Sequence, residues 1–158
     1  MKLVLKYGGT SISNTKDIQT ICEHISTLSK KHQIVIVCSA TSGTTDDLIE
    51  ISESIKKENK SKAEQLASKI INRHNQLAKQ TIKKSDIQKK LLVKLNEDFT
   101  ELLALIDGLV LLGEVTSRSM DYLISFGERL SIKLIAAAIN DLSKKSISLT
   151  GKEVGIVT

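Results

Sequence analysis

An α/β fold built on a parallel sheet is what this chain predicts, and three observations carry that reading. Short apolar runs recur, first Leu3-Val4-Leu5 and then Ile34-Val35-Ile36-Val37-Cys38. Each run ends in a small polar loop. Each loop leads into apolar residues repeating at helical spacing. Strand, loop, helix, strand, loop, helix is the order of a right-handed βαβ crossover.

The elements follow in order. Leu3 to Leu5 reads as a buried strand running into Lys6-Tyr7-Gly8-Gly9-Thr10-Ser11. Asn14 or Thr15 can cap the next helix, with Asp17 supporting its first turn. Ile18, Ile21, Cys22, Ile25 and Leu28 give that helix one apolar face. The run 34–38 is continuous and largely β-branched, so it predicts a central strand covered on both faces. It ends in Ser39-Ala40-Thr41-Ser42-Gly43-Thr44-Thr45-Asp46-Asp47, a polar loop carrying a cap. A second helix continues through Leu48, Ile51 and Ile55.

The middle of the chain changes character. Ala63, Leu66, Ala67, Ile70, Leu77 and Ala78 predict one amphipathic helix. Ile87, Leu91, Leu95, Phe99, Leu102 and Ile106 predict another. Residues 57–112 thus read as a helical insertion beside the sheet. A further helix is predicted from about Met120 to Leu142. Gly127 in its middle costs roughly 1 kcal/mol relative to alanine, which suggests close approach by another backbone or a ligand. Ser146 to Leu149 and Val154 to Val157 read as strands. A chain ending on a strand at Thr158 looks like the first part of something longer.

Composition narrows the class. The 158 residues are 41% hydrophobic and 26% charged, as in ordinary globular domains. The longest strongly apolar stretch, Leu134 to Ile139, is too short to span a bilayer. The N-terminus lacks the pattern of a secretory signal. Cys22 and Cys38 match no metal or redox spacing and read as small buried hydrophobes in a reducing compartment. His24, His32 and His74 stand apart from one another, as surface or satisfied helix residues. No metal-ligating set is predicted. The net charge of +5 is unevenly spread: residues 56–94 hold 12 Lys and Arg against 3 Asp and Glu. Such a stripe can track nucleic acid, yet it has no aromatic residue for base stacking. A solvated helix face explains it as well.

The chemistry gathers at the strand ends. In a parallel sheet both polar loops fall on one edge, before helix N-termini, where ligands of open α/β sheets bind. Paired glycines after a strand bring bare backbone N–H groups to a phosphate, and Lys6 supplies a point charge. A plain turn and a solvent-facing lysine are the simpler readings. The stretch fits neither the Walker nor the Rossmann glycine pattern. Residues 39–47 could be only a capping loop, or could hold a small anionic substrate through hydroxyls and amides. Asp46 and Asp47 read as partners of the helix dipole. Glu128 could pair with Arg129 or Lys133; beside Gly127 and Ser131 it is also a candidate for a cationic group such as a substrate ammonium. No Ser/His/Asp or Cys/His arrangement supports nucleophilic catalysis.

Together these stretches resemble the aspartokinase family of the amino acid kinase superfamily. The likeness is carried by residues 6–11, Val37 to Asp46, Leu112-Gly113-Glu114-Val115-Thr116 and Asp121 to Ser131. Gly151 to Thr158 looks like the family's next strand, and the long helical middle like that of archaeal members. The resemblance implies a three-layer αβα sandwich with a mainly parallel sheet, of carbamate kinase type, incomplete here. It implies transfer of the γ-phosphoryl of ATP, with Mg2+, to the side-chain carboxylate of L-aspartate. That reaction opens lysine, threonine and methionine biosynthesis.

By the same likeness Lys6 is catalytic, and Lys6, Tyr7, Gly8, Gly9, Thr10 and Ser11 bind the phosphates. Ser39 and Thr45 hold aspartate, and Glu128 takes its amino group. A cytoplasmic enzyme without nucleic-acid or membrane partners, homo-oligomeric at full length, is implied. The family's Gly-Arg-Gly-Gly-Ser-Asp segment, nucleotide half and ACT domains have no counterpart in 1–158. The expectation is therefore the N-terminal part of a catalytic domain, inactive alone. The alternatives are a glutamate- or carbamate-type amino acid kinase, and a non-catalytic basic helical module that binds nucleic acid.

Overall fold

A computed structural model describes residues 1–156. Two strands, β1 (Lys2–Tyr7) and β2 (Gln33–Cys38), pair in parallel, with Leu3 opposite Ile34 and Tyr7 opposite Cys38. The crossover between them holds a 3-10 turn at Gly9–Ile12 and helix α1 (Thr15–Leu28). Asn14 caps α1: its side-chain oxygen accepts from the Asp17 amide at 3.0 Å. This satisfies one of the four amides a helix leaves open at its start.

Four helices follow, α2 (Thr44–Lys56), α3 (Lys60–Thr81), α4 (Ser85–Leu112) and α5 (Ser117–Asp141). The residues that predict α3 and α4 are buried, apart from the half-buried Ile87. Gly113 ends α4 at φ +71°, a left-handed conformation that glycine reaches at no steric cost. Thr116 then caps α5 through the Ser119 amide. The six residues from Leu134 to Ile139 are all buried, so α5 runs through the middle of the helical layer. It packs on α1, α2, α3 and α4 and touches β2.

The parallel α/β reading is borne out, with most of the mass in helices. Burial of strand 34–38 on both faces is not. Leu5, Tyr7, Ile34 and Ile36 pack against the core, whereas Val4, Val35 and Val37 on the opposite face are 70%, 57% and 47% exposed. Among the described residues helices cover one sheet face only. The β-branched run marked a strand correctly, but its continuity cannot tell which faces are covered.

The strands expected near the end do not form within the described residues. The Asn140 side chain holds Ser146, donating to its carbonyl and accepting from its amide, both at 2.9 Å. Residues 150–156 close on themselves, with the Ile156 amide bonded to the Gly151 carbonyl and Gly155 at φ +85°. These backbone groups are satisfied locally and join no ladder. Val157 and Thr158, the end of that expected segment, lie outside the described residues.

Candidate functional site

The parallel register sets the strand-end loops side by side. The Ser39 amide donates to the Tyr7 carbonyl at 3.0 Å, so the ladder continues one step into the second loop. Packing then fuses the loops. A Cβ on Gly9 would lie 2.9 Å from the Ala40 carbonyl oxygen. A Cβ on Gly127 would lie 2.7 Å from the Ala40 Cβ. Three segments far apart in sequence thus meet around Ala40, and two of them meet it through a missing side chain. The close approach expected at Gly127 is this contact.

The side chains of α5 hold the second loop by its backbone. Glu128 Oε1 accepts from the Ala40 amide at 3.2 Å. Ser131 Oγ donates to the Ser39 carbonyl at 2.7 Å, or to the Glu128 carbonyl at 3.0 Å. Glu128 therefore pairs with neither Arg129 nor Lys133. Those cations turn to Asp98 of α4, which is 2% exposed. The second Glu128 oxygen has no protein partner among the described residues, leaving one acceptor at the loop.

The first loop is open. Nothing approaches within 4 Å of a Cβ built on Gly8, whose φ of −78° is ordinary. Glycine there leaves room and is not needed for the backbone angle. The amides of Gly8, Gly9 and Thr10 have no acceptor among the described residues, whereas the Ser11 amide is used by the Gly8 carbonyl. Lys6 is exposed, without a hydrogen bond or ion pair among the described residues, and alternates with Tyr7 onto the open sheet face. Tyr7 points the other way, its hydroxyl 3.3 Å from His24 Nδ1. Burial raises the Tyr7 hydroxyl's pKa, helped by Cys38 and Cys22. Tyr7 can thus serve the loop through backbone only. Thr10 and Ser11 are exposed, and their hydroxyls have no partner among the described residues.

The second loop enters α2 through Gly43, at φ +74° and without a side-chain cap. Thr45 lies two residues past the cap; it sits half-buried in the first turn, its hydroxyl without a partner among the described residues. Ser39 is also half-buried, its hydroxyl without a partner among the described residues. Asp47 does more than face the helix dipole. It is 4% exposed and takes Lys69 and Arg73 of α3 at 2.7 and 2.8 Å. Sequence reading missed this tie, and also the burial of Thr41, Thr44 and His74 together at 2%, 0% and 0% exposure. The Arg73-His74 pair on the inner side of a basic helix was the available signal.

The thiols of Cys22 and Cys38 are free and buried. Desolvation pushes their pKa values up to about 12 and about 11, which makes them inert. Among the described residues no group of His, Cys, Asp and Glu could hold a metal ion, and no helix is long and apolar enough to cross a membrane. A cavity of about 1070 Å³ lies elsewhere, between α4, α5 and residues 143–149. It contains none of the candidate residues.

The model of the amino acid kinase family matches residues 1–157. Aspartokinase 1, chloroplastic, of Arabidopsis thaliana is 32% identical over 98% of this chain and 26% of its own length. Aspartokinase of Schizosaccharomyces pombe is 31% identical over 88% of this chain and 28% of its own length. Among solved structures, E. coli aspartokinase III in complex with aspartate and ADP superposes with a TM-score of 0.63 at 17% identity. That match covers 90% of this chain and 30% of the other, and bears on fold alone. The chain thus spans 26% and 28% of the two curated relatives' lengths.

Proposed function

The chain belongs to the amino acid kinase family, and on that footing we propose that it is the N-terminal part of the catalytic domain of an aspartate kinase. Residues 57–112 are its helical insertion. The observation that carries this reading is the meeting of Gly9, Ala40 and Gly127, with Glu128 fixed on the Ala40 amide of one loop and unbonded amides on the other. One side of that junction suits an anion and the other an amino acid. The aspartokinase relatives make aspartate and ATP the natural pair.

In this reading a side-chain carboxylate oxygen of L-aspartate attacks the γ-phosphorus of ATP. The bond to the bridging oxygen breaks and ADP leaves. Such transfer needs positioning and charge neutralisation more than covalent participation. The amides of Gly8, Gly9 and Thr10 cradle the phosphates, with Ser11 at the rim. Lys6 supplies positive charge where the transferred oxygens gain negative charge. Ser39 and Thr45 bind aspartate through their free hydroxyls. The unbonded oxygen of Glu128 takes its ammonium, while the other oxygen keeps the carboxylate aimed. Mg2+ would enter as part of the nucleotide substrate and would supply positive charge to its phosphates.

The product, 4-phospho-L-aspartate, would feed lysine, threonine and methionine synthesis in the cytoplasm. We place the nucleotide-base contacts, an arginine for the substrate carboxylate and the subunit contacts of a homo-oligomer outside residues 1–158. The 158-residue chain is accordingly proposed to be inactive alone. Five of the twelve cations in residues 56–94 are drawn into ion pairs instead of being offered to a nucleic acid. Lys56, Lys60, Lys62, Lys69 and Arg73 all have acidic partners within 4 Å.

A coupled ATP/aspartate assay tests the proposal. The full polypeptide containing this chain should turn over aspartate, with glutamate a poor competitor. The Lys6→Ala variant should lose about 100-fold or more in kcat. Equal use of glutamate would sink the aspartate assignment, and full activity in the Lys6 variant would sink the phosphate site.

A further inference from the structure

We propose that His74 of α3 is a positioning residue for the loop that holds the amino-acid substrate, acting through Thr41 and Thr44. The inference rests on the kinase reading for the identity of that substrate. Its geometry stands on the structure alone.

The loop from Ser39 to Gly43 has little with which to hold itself. Its residues are small, and Ala40 sits under Gly127. On the α5 side it is held by Glu128 and Ser131. On the other side it meets a buried polar chain. His74 Nδ1 lies 2.8 Å from the Ile70 carbonyl oxygen, and His74 Nε2 lies 3.1 Å from Thr41 Oγ1. Thr41 Oγ1 lies 2.7 Å from Thr44 Oγ1, which Arg73 Nη1 reaches at 3.1 Å. Arg73 Nη2 continues to Asp47 at 2.8 Å.

Only one arrangement of protons satisfies every member. A carbonyl can only accept, so Nδ1 carries the ring proton and donates to Ile70. In the neutral ring Nε2 is then an acceptor, and the Thr41 hydroxyl must donate to it. Thr41 oxygen accepts from the Thr44 hydroxyl, whose own oxygen accepts from Arg73. Donors and acceptors match without a gap. Because His74, Thr41 and Thr44 are buried, water cannot replace a lost member, and an orphaned group is costly.

The consequence reaches the candidate site. Thr45 follows Thr44 directly, and Ser39 stands two residues before Thr41. Both hydroxyls assigned to the substrate therefore ride on a segment clamped from two sides, by α5 and by α3. Helix α3 belongs to the helical insertion, so the insertion buttresses the substrate loop. The neutral ring that the arrangement needs agrees with the lowering of the His74 pKa by burial.

Three variants test the inference in the full polypeptide. Thr41→Val keeps shape and removes the donor to His74. His74→Leu removes the ring, while His74→Gln restores an acceptor. Thr41→Val and His74→Leu should raise the KM for aspartate at least tenfold and leave the KM for ATP within twofold. His74→Gln should recover most of that loss. Hydrogen exchange at the amides of residues 39–47 should quicken in Thr41→Val, with α4 unchanged.

Equal changes in both KM values, or a lower melting temperature with neither KM changed, would reduce His74 to a core residue and overturn the proposal. If His74→Leu does not fold, Thr41→Val carries the same comparison. If the unmodified polypeptide fails to phosphorylate aspartate, the kinase reading falls. The exchange data then decide the clamp alone: unchanged exchange at residues 39–47 overturns it.

Discussion

Gly127 shows how one missing methyl group can organise a site. In an exposed helix, Gly→Ala gains about 1 kcal/mol. Here the added Cβ would sit 2.7 Å from that of Ala40, so the clash outweighs propensity. Gly127→Ala should destabilise the protein by about 1–3 kcal/mol in denaturant titration. Pairing it with Ala40→Gly, which removes the opposing methyl, should return most of the loss. A stabilised single variant would mean that α5 does not press on the loop.

His74 makes a second residue-scale prediction, with a sign. Its pKa falls from 6.5 to about 4 on folding, through desolvation first and then the neighbouring Arg73 charge, against the opposing Ile70 hydrogen bond. Above pH 6.5 the ring is neutral in both states and the full stability is present. As pH drops towards 4, the unfolded chain binds a proton that the folded chain refuses, and stability is lost. The loss is on the order of 2–3 kcal/mol across that window. It should be visible above about pH 5, before most carboxylates titrate, and His74→Gln should flatten it in pH-dependent unfolding.

Among the elements, the seam between α4 and α5 depends on one carboxylate. Asp98 is 2% exposed and receives both Arg129 and Lys133. Glu101 and Tyr122 extend the group, with Arg129 also lying 4.4 Å from the Phe126 ring centre. The hydrogen bond from Arg129, then that from Tyr122, holds the Glu101 carboxyl below its usual range. Asp98→Ala leaves two cations without their shared anion. Such losses run to about 3–5 kcal/mol. The lower end is expected here, since the Arg129 and Lys133 side chains are 21% and 18% exposed. Thermal unfolding of the variant measures it. No change in midpoint would show that the seam is held by its apolar contacts alone.

At this scale the sequence was most readable. Short apolar runs and helical spacing located the two strands and five helices of the described residues, because a buried strand needs apolar side chains throughout and a helical face repeats with the backbone's turn. The converging glycines were readable too, as positions where a side chain is conspicuously missing from a helix or loop. What spacing could not supply was partnership. Glu128 finds the Ala40 amide across 88 positions, and His74 finds Thr41 across 33. Local proximity instead favoured Arg129 or Lys133 for Glu128. Partners at such separations follow from helix packing, which no window of neighbours contains. The strand expectations near residues 146–156 failed for a related reason: apolar alternation states a preference, but a strand needs a ladder to join.

The whole molecule carries an asymmetry. One sheet face packs on helices, and the other leaves Val4, Val35 and Val37 exposed beside Lys6. Apolar residues grouped on a flat face bind hydrophobic probes. The 158-residue chain should enhance the fluorescence of an anilinonaphthalene sulfonate dye. Replacing all three valines with threonine should reduce the signal without altering far-UV circular dichroism. An unchanged signal would place the binding surface elsewhere.

Two neighbouring loops meet at Ala40, and the proposed function divides them into an anion site and an amino-acid site. The most direct test is a crystal structure of the full polypeptide with ADP and aspartate. The diphosphate should lie within hydrogen-bonding distance of the Gly8 and Gly9 amides, with the aspartate ammonium on Glu128. Phosphates bound away from those glycines, or aspartate remote from Ser39 and Thr45, would contradict it.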